Sequence, residues 1–209
     1  MKKVAIINGI ARMTKYNAHL ASLYHQIGIT ESKEYQFPFA KLFSCHRHSS
    51  LEEKVMEIVE YADVVHCQSS SFFPVLPYMH KHNIKKPLIL ESPVLKSHTG
   101  TLLAATNRAK HYSHPKQSKA INFLLDTLAF TPEWTADTLS TLQKSKDSGA
   151  ALVLHSSEDS VSDIEGLEQY FNVIYGDGNG AKHARLYGPK SNNDFGDVVR
   201  FIQGYHESR

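Results

Sequence analysis

Residues 64 to 72 read Val64-Val65-His66-Cys67-Gln68-Ser69-Ser70-Ser71-Phe72, and the predicted architecture of the chain follows from this segment. Its first half is a short apolar run, which is typical of a strand buried on both faces of a parallel sheet. The segment from 70 to 83 has the length of a helix, so the strand is predicted to pass into a helix with hardly any loop. A turn of this kind presents its central side chain, here Ser69, above the sheet.

Strand and helix patterns alternate on both sides of this segment. Further buried strands are predicted from apolar runs at 4–7, 87–90, 150–154 and 172–175. Helices are predicted from apolar residues at helical spacing between 14 and 27, 51 and 62, and 195 and 202. The alternation at 34–39 contains Pro38 and predicts an edge strand. Together these elements predict an α/β fold of three layers, in which a mostly parallel six-stranded sheet of order 2-1-3-4-5-6 carries helices on both faces.

Residues 94 to 148 interrupt this rhythm. They contain no convincing strand, several apolar helical stretches and a basic polar run from 107 to 119. We predict a helical insertion that lies above the sheet as a lid. Its apolar side chains are predicted to cover a hydrophobic substrate or to form the lid's own core: Leu102, Leu103, Phe123, Leu124, Leu128, Phe130 and Trp134.

Length and composition limit the classes of protein that this chain can represent. The 209 residues, 41% of them hydrophobic, predict a single domain over 1–209. A formal net charge of +2 argues against nucleic acid as a partner, because phosphate binding needs a concentrated basic surface. No apolar stretch approaches the about 20 residues that span a bilayer. With Cys45 and Cys67 as the only cysteines, no disulfide framework is implied, and we predict a cytoplasmic protein.

The segment Cys67-Gln68-Ser69-Ser70-Ser71 resembles the nucleophile elbow of the α/β hydrolase family, which usually reads Gly-x-Ser-x-Gly. The resemblance implies a minimal α/β hydrolase fold, with Ser69 as the nucleophile and the backbone N–H of Ser70 in the oxyanion hole. Cys67 and Ser71 depart from the pattern, although both are small enough for the turn. The resemblance extends over most of the chain, from Val4 to Ile202, through the order of its landmarks.

Other landmarks of the family follow in its chain order of nucleophile, acid and histidine. Asp159 comes after the strand at 150–154 and corresponds to the triad acid, with Glu158 as the spare candidate. His183 closes a glycine-rich loop after the last strand and corresponds to the base. The first strand ends in Asn8-Gly9-Ile10, similar to the family's His-Gly-x, so the resemblance adds the N–H of Ile10 to the oxyanion hole.

This resemblance implies a serine hydrolase of the carboxylesterase, lipase or thioesterase type. It would cleave a small-molecule acyl ester or thioester through an acyl-enzyme on Ser69, and it would need no cofactor and no metal. One alternative is a non-catalytic binding or assembly module with the same fold. Another is a Rossmann-type nucleotide binder, although only Gly9 of the required glycines follows the first strand.

Several candidate residues also have a purely structural explanation. The serines at 69–71 and Asp159 are residue types that cap helices. Cys67 is a possible thiol nucleophile, but a small buried side chain at a strand end is favoured. The run at 45–48 contains one cysteine and two histidines, but the spacing of structural zinc ligands is absent, so a polar loop is predicted there.

Overall fold

A computed structural model describes residues 1–9, 14–37, 49–93, 151–156, 173–176, 186 and 191–207. The strands are β1 (Lys3–Asn8), β2 (Glu31–Gln36), β3 (Val64–Gln68), β4 (Leu88–Glu91), β5 (Ala151–Ser156) and β6 (Val173–Gly176). The helices are α1 (Thr14–Gln26), α2 (Ser49–Tyr61), α3 (Phe72–Lys81) and α4 (Ser191–Glu207), with a 3₁₀ turn at Ser69–Ser71. The predicted lid at 94–148 lies outside the described residues, so it stays a prediction, as does the assignment of the whole chain to one domain.

These strands form one six-stranded sheet in the order β2-β1-β3-β4-β5-β6. All five neighbouring pairs are parallel. The predicted order is therefore confirmed, and the sheet is wholly parallel rather than mostly so. Because the strands are parallel, the segments that follow them all leave from the same edge of the sheet.

Two apolar cores lie on opposite faces of the sheet and define the three layers. One core joins side chains of α2 and α3 to the odd-numbered residues of β1 and β3. The other joins side chains of α1 and α4 to the even-numbered residues Val4, Ile6 and Val64. Strand residues alternate between the two faces, which is why the central strands read as continuous apolar runs in the sequence.

The edge strand begins and ends earlier than the sequence pattern indicated. The prediction of a strand at 34–39 is wrong in its boundaries, because β2 spans Glu31–Gln36. The ladder with β1 pairs Lys3 with Glu31 and Asn8 with Gln36, so the length of β1 sets that of β2. The first three residues of β2 are exposed and polar, which hides this part of the strand from a search for apolar alternation. Its position at the sheet edge is as predicted.

Candidate active site

The junction between β3 and α3 is a sharp elbow with Ser69 at its first position. Ser69 has a φ of 54°, in the left-handed region that residues with a Cβ rarely adopt. The 3₁₀ turn that it opens leads directly into α3, and its side chain is partly exposed. Such backbone strain costs of order 1 kcal/mol or more, and it is concentrated at functional sites of proteins. The predicted strand-to-helix turn is thus present at the predicted serine, and its backbone is strained.

Gly9, the residue after β1, lies directly against this elbow. A Cβ built on Gly9 would come within 2.8 Å of the Ser69 Cβ, 3.1 Å of the Gln68 carbonyl oxygen and 3.4 Å of the Ser69 Oγ. The first of these distances is shorter than non-bonded carbon atoms tolerate. Gln36, the last residue of the edge strand β2, donates a hydrogen bond of 2.6 Å to the Gly9 carbonyl and so holds Gly9 beside the end of that strand. A glycine at position 9 therefore allows the end of β1 to approach the elbow.

Cys67 and Ser71, which stand where the family usually has glycines, are both buried. Ser71 Oγ donates a hydrogen bond of 3.0 Å to the Ile7 carbonyl, so this side chain ties the elbow to β1. Although Ser71 occupies the N-cap position of α3, it makes no side-chain capping bond there. Burial raises the pKa of the Cys67 thiol far above its usual range. Both residues are accommodated by packing, and Cys67 is the small buried side chain that the sequence favoured.

Buried amide side chains connect the strand ends beneath the elbow. Gln68 donates to the Oδ1 of Asn17 at 3.1 Å, and Asn17 donates to the Oδ1 of Asn8 at 2.8 Å. Asn17 also bonds Glu34 at 3.0 Å, and Asn8 donates to the Tyr35 carbonyl at 3.0 Å. This network joins α1 to the ends of β1, β2 and β3. It gives the elbow a rigid support, since each amide is fixed by a partner on another element.

A second buried network, around Glu91, was not anticipated from the sequence. Glu91 accepts hydrogen bonds from the Tyr16 hydroxyl and, at 3.0 Å, from the backbone N–H of Leu186. Its other oxygen lies 3.1 Å from His66 Nε2, and His66 Nδ1 lies 2.8 Å from the Tyr24 hydroxyl. The sequence carries two signs of this network: a single carboxylate at the end of the apolar strand 88–91, and a histidine within the apolar run 64–67.

The structure places two of the predicted site residues. Ser69 opens the elbow, and the backbone of Ser70 continues its 3₁₀ turn. Ile10, Asp159 and His183 lie outside the described residues, so the triad and the oxyanion hole stay predictions.

Within the described ranges, no three His, Cys, Asp or Glu side chains gather as metal ligands. Over the same ranges, no helix combines the length and the apolar character needed to cross a bilayer.

Comparisons with known proteins address the fold. No protein-family model matches the sequence, and no curated protein matches it either. Among solved structures, the chain is similar to one reported with the metagenome-derived lipolytic enzymes LipS and LipT, with a TM-score of 0.60 and 12% identity over 97% of this chain and 93% of that one. It is also similar to an esterase of Pyrococcus furiosus, with a TM-score of 0.61 and 11% identity over 97% of this chain and 80% of that one.

A third similar structure is the N-acyl homoserine lactonase AidH, with a TM-score of 0.52 and 13% identity over 98% of this chain and 90% of that one. Together with the sheet order and the elbow, these similarities show that the chain has the α/β hydrolase fold.

Proposed function

We propose that this protein is a serine hydrolase that cleaves a carboxylic ester or thioester through an acyl-enzyme on Ser69. The observation that carries the proposal is the backbone of Ser69, held at a φ of 54° between a buried strand and a helix. A serine that only caps a helix has no need of a left-handed conformation, because capping residues adopt extended backbone angles. Strain at a partly exposed serine above a parallel sheet is typical of a nucleophile.

In the proposed reaction, His183 removes the proton of Ser69 as its oxygen attacks the acyl carbon. The imidazolium then gives that proton to the departing alcohol or thiol, and Asp159 stabilises its positive charge. Water, deprotonated by the same imidazole, releases the carboxylic acid and restores the serine. The N–H groups of Ile10 and Ser70 hold the developing oxyanion, each contributing about 3 kcal/mol.

Two features support the assignment of these residues. Asp159 comes after β5 and His183 comes after β6. Because the strands are parallel, the chain leaves β5 and β6 at the same edge of the sheet at which it leaves β3 for Ser69. The similar structures are named as esterases, lipolytic enzymes and a lactonase, which favours an ester substrate.

The apolar side chains of the predicted lid would cover the acyl or alcohol group of that substrate. A reducing cytoplasmic location belongs to the proposal, since the chain has only two cysteines.

The second candidate is a non-catalytic module with the same fold. Cys67 and Ser71 in place of the usual glycines favour it, because a degenerate elbow is a mark of lost chemistry. The two candidates differ in whether Ser69 is activated.

A fluorophosphonate probe tests this difference, because it reacts with activated serines. We expect the purified protein to be labelled and Ser69→Ala and His183→Ala to abolish labelling. Ser32→Ala, which changes an exposed serine of β2, is the matched control and should label like the wild type. Labelling should also weaken as the pH falls through the pKa of the imidazole. A folded wild type that is not labelled, although the lid admits the probe, would favour the module; labelling that survives Ser69→Ala would move the nucleophile to Ser70 or Ser71.

A further inference from the structure

We propose that Glu91 is a positioning residue, which holds the segment that carries His183 in place relative to the end of β3, directly before Ser69. The inference rests on the proposed function, and it adds a residue that the triad does not contain. Its structural basis is the hydrogen bond of 3.0 Å from the Leu186 backbone N–H to Glu91 Oε1. Glu91 is 95 residues away from Leu186 in sequence, so this bond ties two distant parts of the chain together.

The position of Glu91 links the base loop to the nucleophile strand. Glu91 ends β4 and pairs in register with Gln68, the residue immediately before Ser69. Leu186 lies three residues after His183, and its side chain is fully buried in the core between the sheet and α1 and α4. Three residues of chain span at most about 11 Å, so fixing residue 186 limits where His183 can lie. The carboxylate thus fixes one end of the base loop next to the elbow.

The carboxylate is suited to this role because it is buried and surrounded by donors. The Tyr16 hydroxyl donates to the same oxygen as Leu186, and burial together with the charge of Glu91 raises the pKa of Tyr16 well above its usual range. Tyr16 therefore remains protonated and remains a donor. Charge-assisted hydrogen bonds are about twice as strong as neutral ones, so a carboxylate holds the backbone N–H more firmly than an amide would.

His66 and Tyr24 fix the orientation of the carboxylate. Burial, followed by the charge of Glu91, raises the pKa of Tyr24, so its hydroxyl stays protonated, and this hydroxyl lies 2.8 Å from His66 Nδ1. His66 Nε2 lies 3.1 Å from the second oxygen of Glu91, so the imidazole bridges the Tyr24 hydroxyl and the carboxylate. The carboxylate cannot rotate without breaking a buried hydrogen bond, which is expected of a positioning group.

Two substitutions at position 91 separate positioning from simple loss of stability. Glu91→Gln keeps the shape and one acceptor oxygen, but it weakens the bond to Leu186. Glu91→Met keeps the volume and removes the acceptor. The matched control is Val198→Ala, which removes buried apolar volume from the same core and takes no hydrogen-bonding group from the network. Hydrolysis of p-nitrophenyl butyrate gives kcat and KM, and hydrogen exchange gives the protection of the amide of residue 186.

We expect kcat to fall about tenfold in Glu91→Gln and up to about a hundredfold in Glu91→Met, with KM little changed, because misplacing a catalytic group by about 1 Å costs that much. Exchange at amide 186 should accelerate in the same order and by more than the loss of global stability explains, while Val198→Ala leaves kcat unchanged and accelerates this exchange only as far as its own loss of stability does. If Glu91→Met does not fold, the comparison of Glu91→Gln with the control decides the matter. Unchanged kcat in a folded Gln variant, or unchanged exchange at amide 186, would overturn the role of Glu91.

Failure of the proposed function is distinguishable from failure of this inference. A wild type that neither hydrolyses the ester nor binds the fluorophosphonate refutes the proposed function. Exchange at amide 186 then still decides whether Glu91 holds the loop: acceleration in Glu91→Gln supports the anchor, and equal protection in wild type and variant overturns it.

Discussion

Replacement of Gly9 by alanine tests the contact on which the elbow geometry depends. The added methyl group would lie 2.8 Å from the Ser69 Cβ and 3.1 Å from the Gln68 carbonyl oxygen. Neither neighbour is the free end of a flexible side chain, because one is the first side-chain carbon and the other is backbone. The φ of Gly9 is not among the positive values of the described residues, so the cost arises from the contact rather than from backbone conformation.

The magnitude follows from overpacking at a rigid contact. Inserting a methyl group into a well-packed site costs about 1–3 kcal/mol, which lowers the Tm of a chain of this size by about 2–12 °C. The strain is relieved only if the end of β1 or Ser69 moves. In either case Ser69 leaves its position relative to the backbone N–H groups around it. We therefore expect Gly9→Ala to lose at least about tenfold in the rate of fluorophosphonate labelling, beyond its loss of stability.

Gly204→Ala is the matched control, since it makes the same chemical change in α4, where the new Cβ meets no atom within 4 Å outside the adjacent backbone of the helix itself. It should gain about 0.5–1 kcal/mol, because alanine favours a helix over glycine. The assay combines urea denaturation with the labelling rate of all three proteins at one temperature. A Gly9→Ala protein as stable and as quickly labelled as the wild type would refute the steric argument.

Three further predictions concern the elbow and the ends of the sheet. Ser69→Gly should be more stable than Ser69→Ala by about 1 kcal/mol in urea denaturation, because only glycine adopts a φ of 54° without strain, and neither variant should be labelled. Cys67 should resist iodoacetamide at pH 8 in the native protein and react in urea, as peptide mass mapping will show, because burial raises its pKa and blocks access; alkylation of the native thiol would contradict this. The pKa of the Asp63 carboxyl is lowered, chiefly because it accepts a hydrogen bond from the backbone N–H of Lys2 and also one from that of Lys3. The contribution of this carboxylate to stability is therefore present above the ordinary aspartate pKa of about 3.9, and it is lost as the pH falls through the lower pKa of the folded state. Asp63→Asn should lower the free energy of unfolding at pH 7 by at most about 1 kcal/mol, with a matching fall in Tm, and it should reduce the loss of stability below pH 4. If the variant and the wild type lose stability equally below pH 4, the role given to Asp63 is refuted.

The arrangement of strands was predictable because the central ones carry a strong local signal. The runs at 4–7, 64–67 and 87–90 are apolar on both faces, as burial between two helical layers requires. Their alternation with helices implies parallel pairing and right-handed crossovers, which leave few possible orders. The edge strand was misplaced because its first residues are solvated, and its boundaries come from the ladder with β1 rather than from its own composition.

The candidate site likewise has one part that the sequence predicts and one part that it does not. Ser69 was identified because small residues flank a serine at a strand end, a pattern written in consecutive positions. The Glu91 network was missed because its members come from α1, β3, β4 and residue 186, and no local pattern connects positions so far apart.

By itself, the sequence determined the α/β class, the order of the six strands and the serine at the elbow, because each depends on periodicity or on neighbouring residues. Only the tertiary structure decided that Gly9 must lack a side chain, that Ser69 takes a left-handed backbone and that Glu91 holds Leu186. The reason is physical: steric exclusion and buried hydrogen bonds act over a few ångströms in space, and folding brings together atoms that the chain separates by tens of residues.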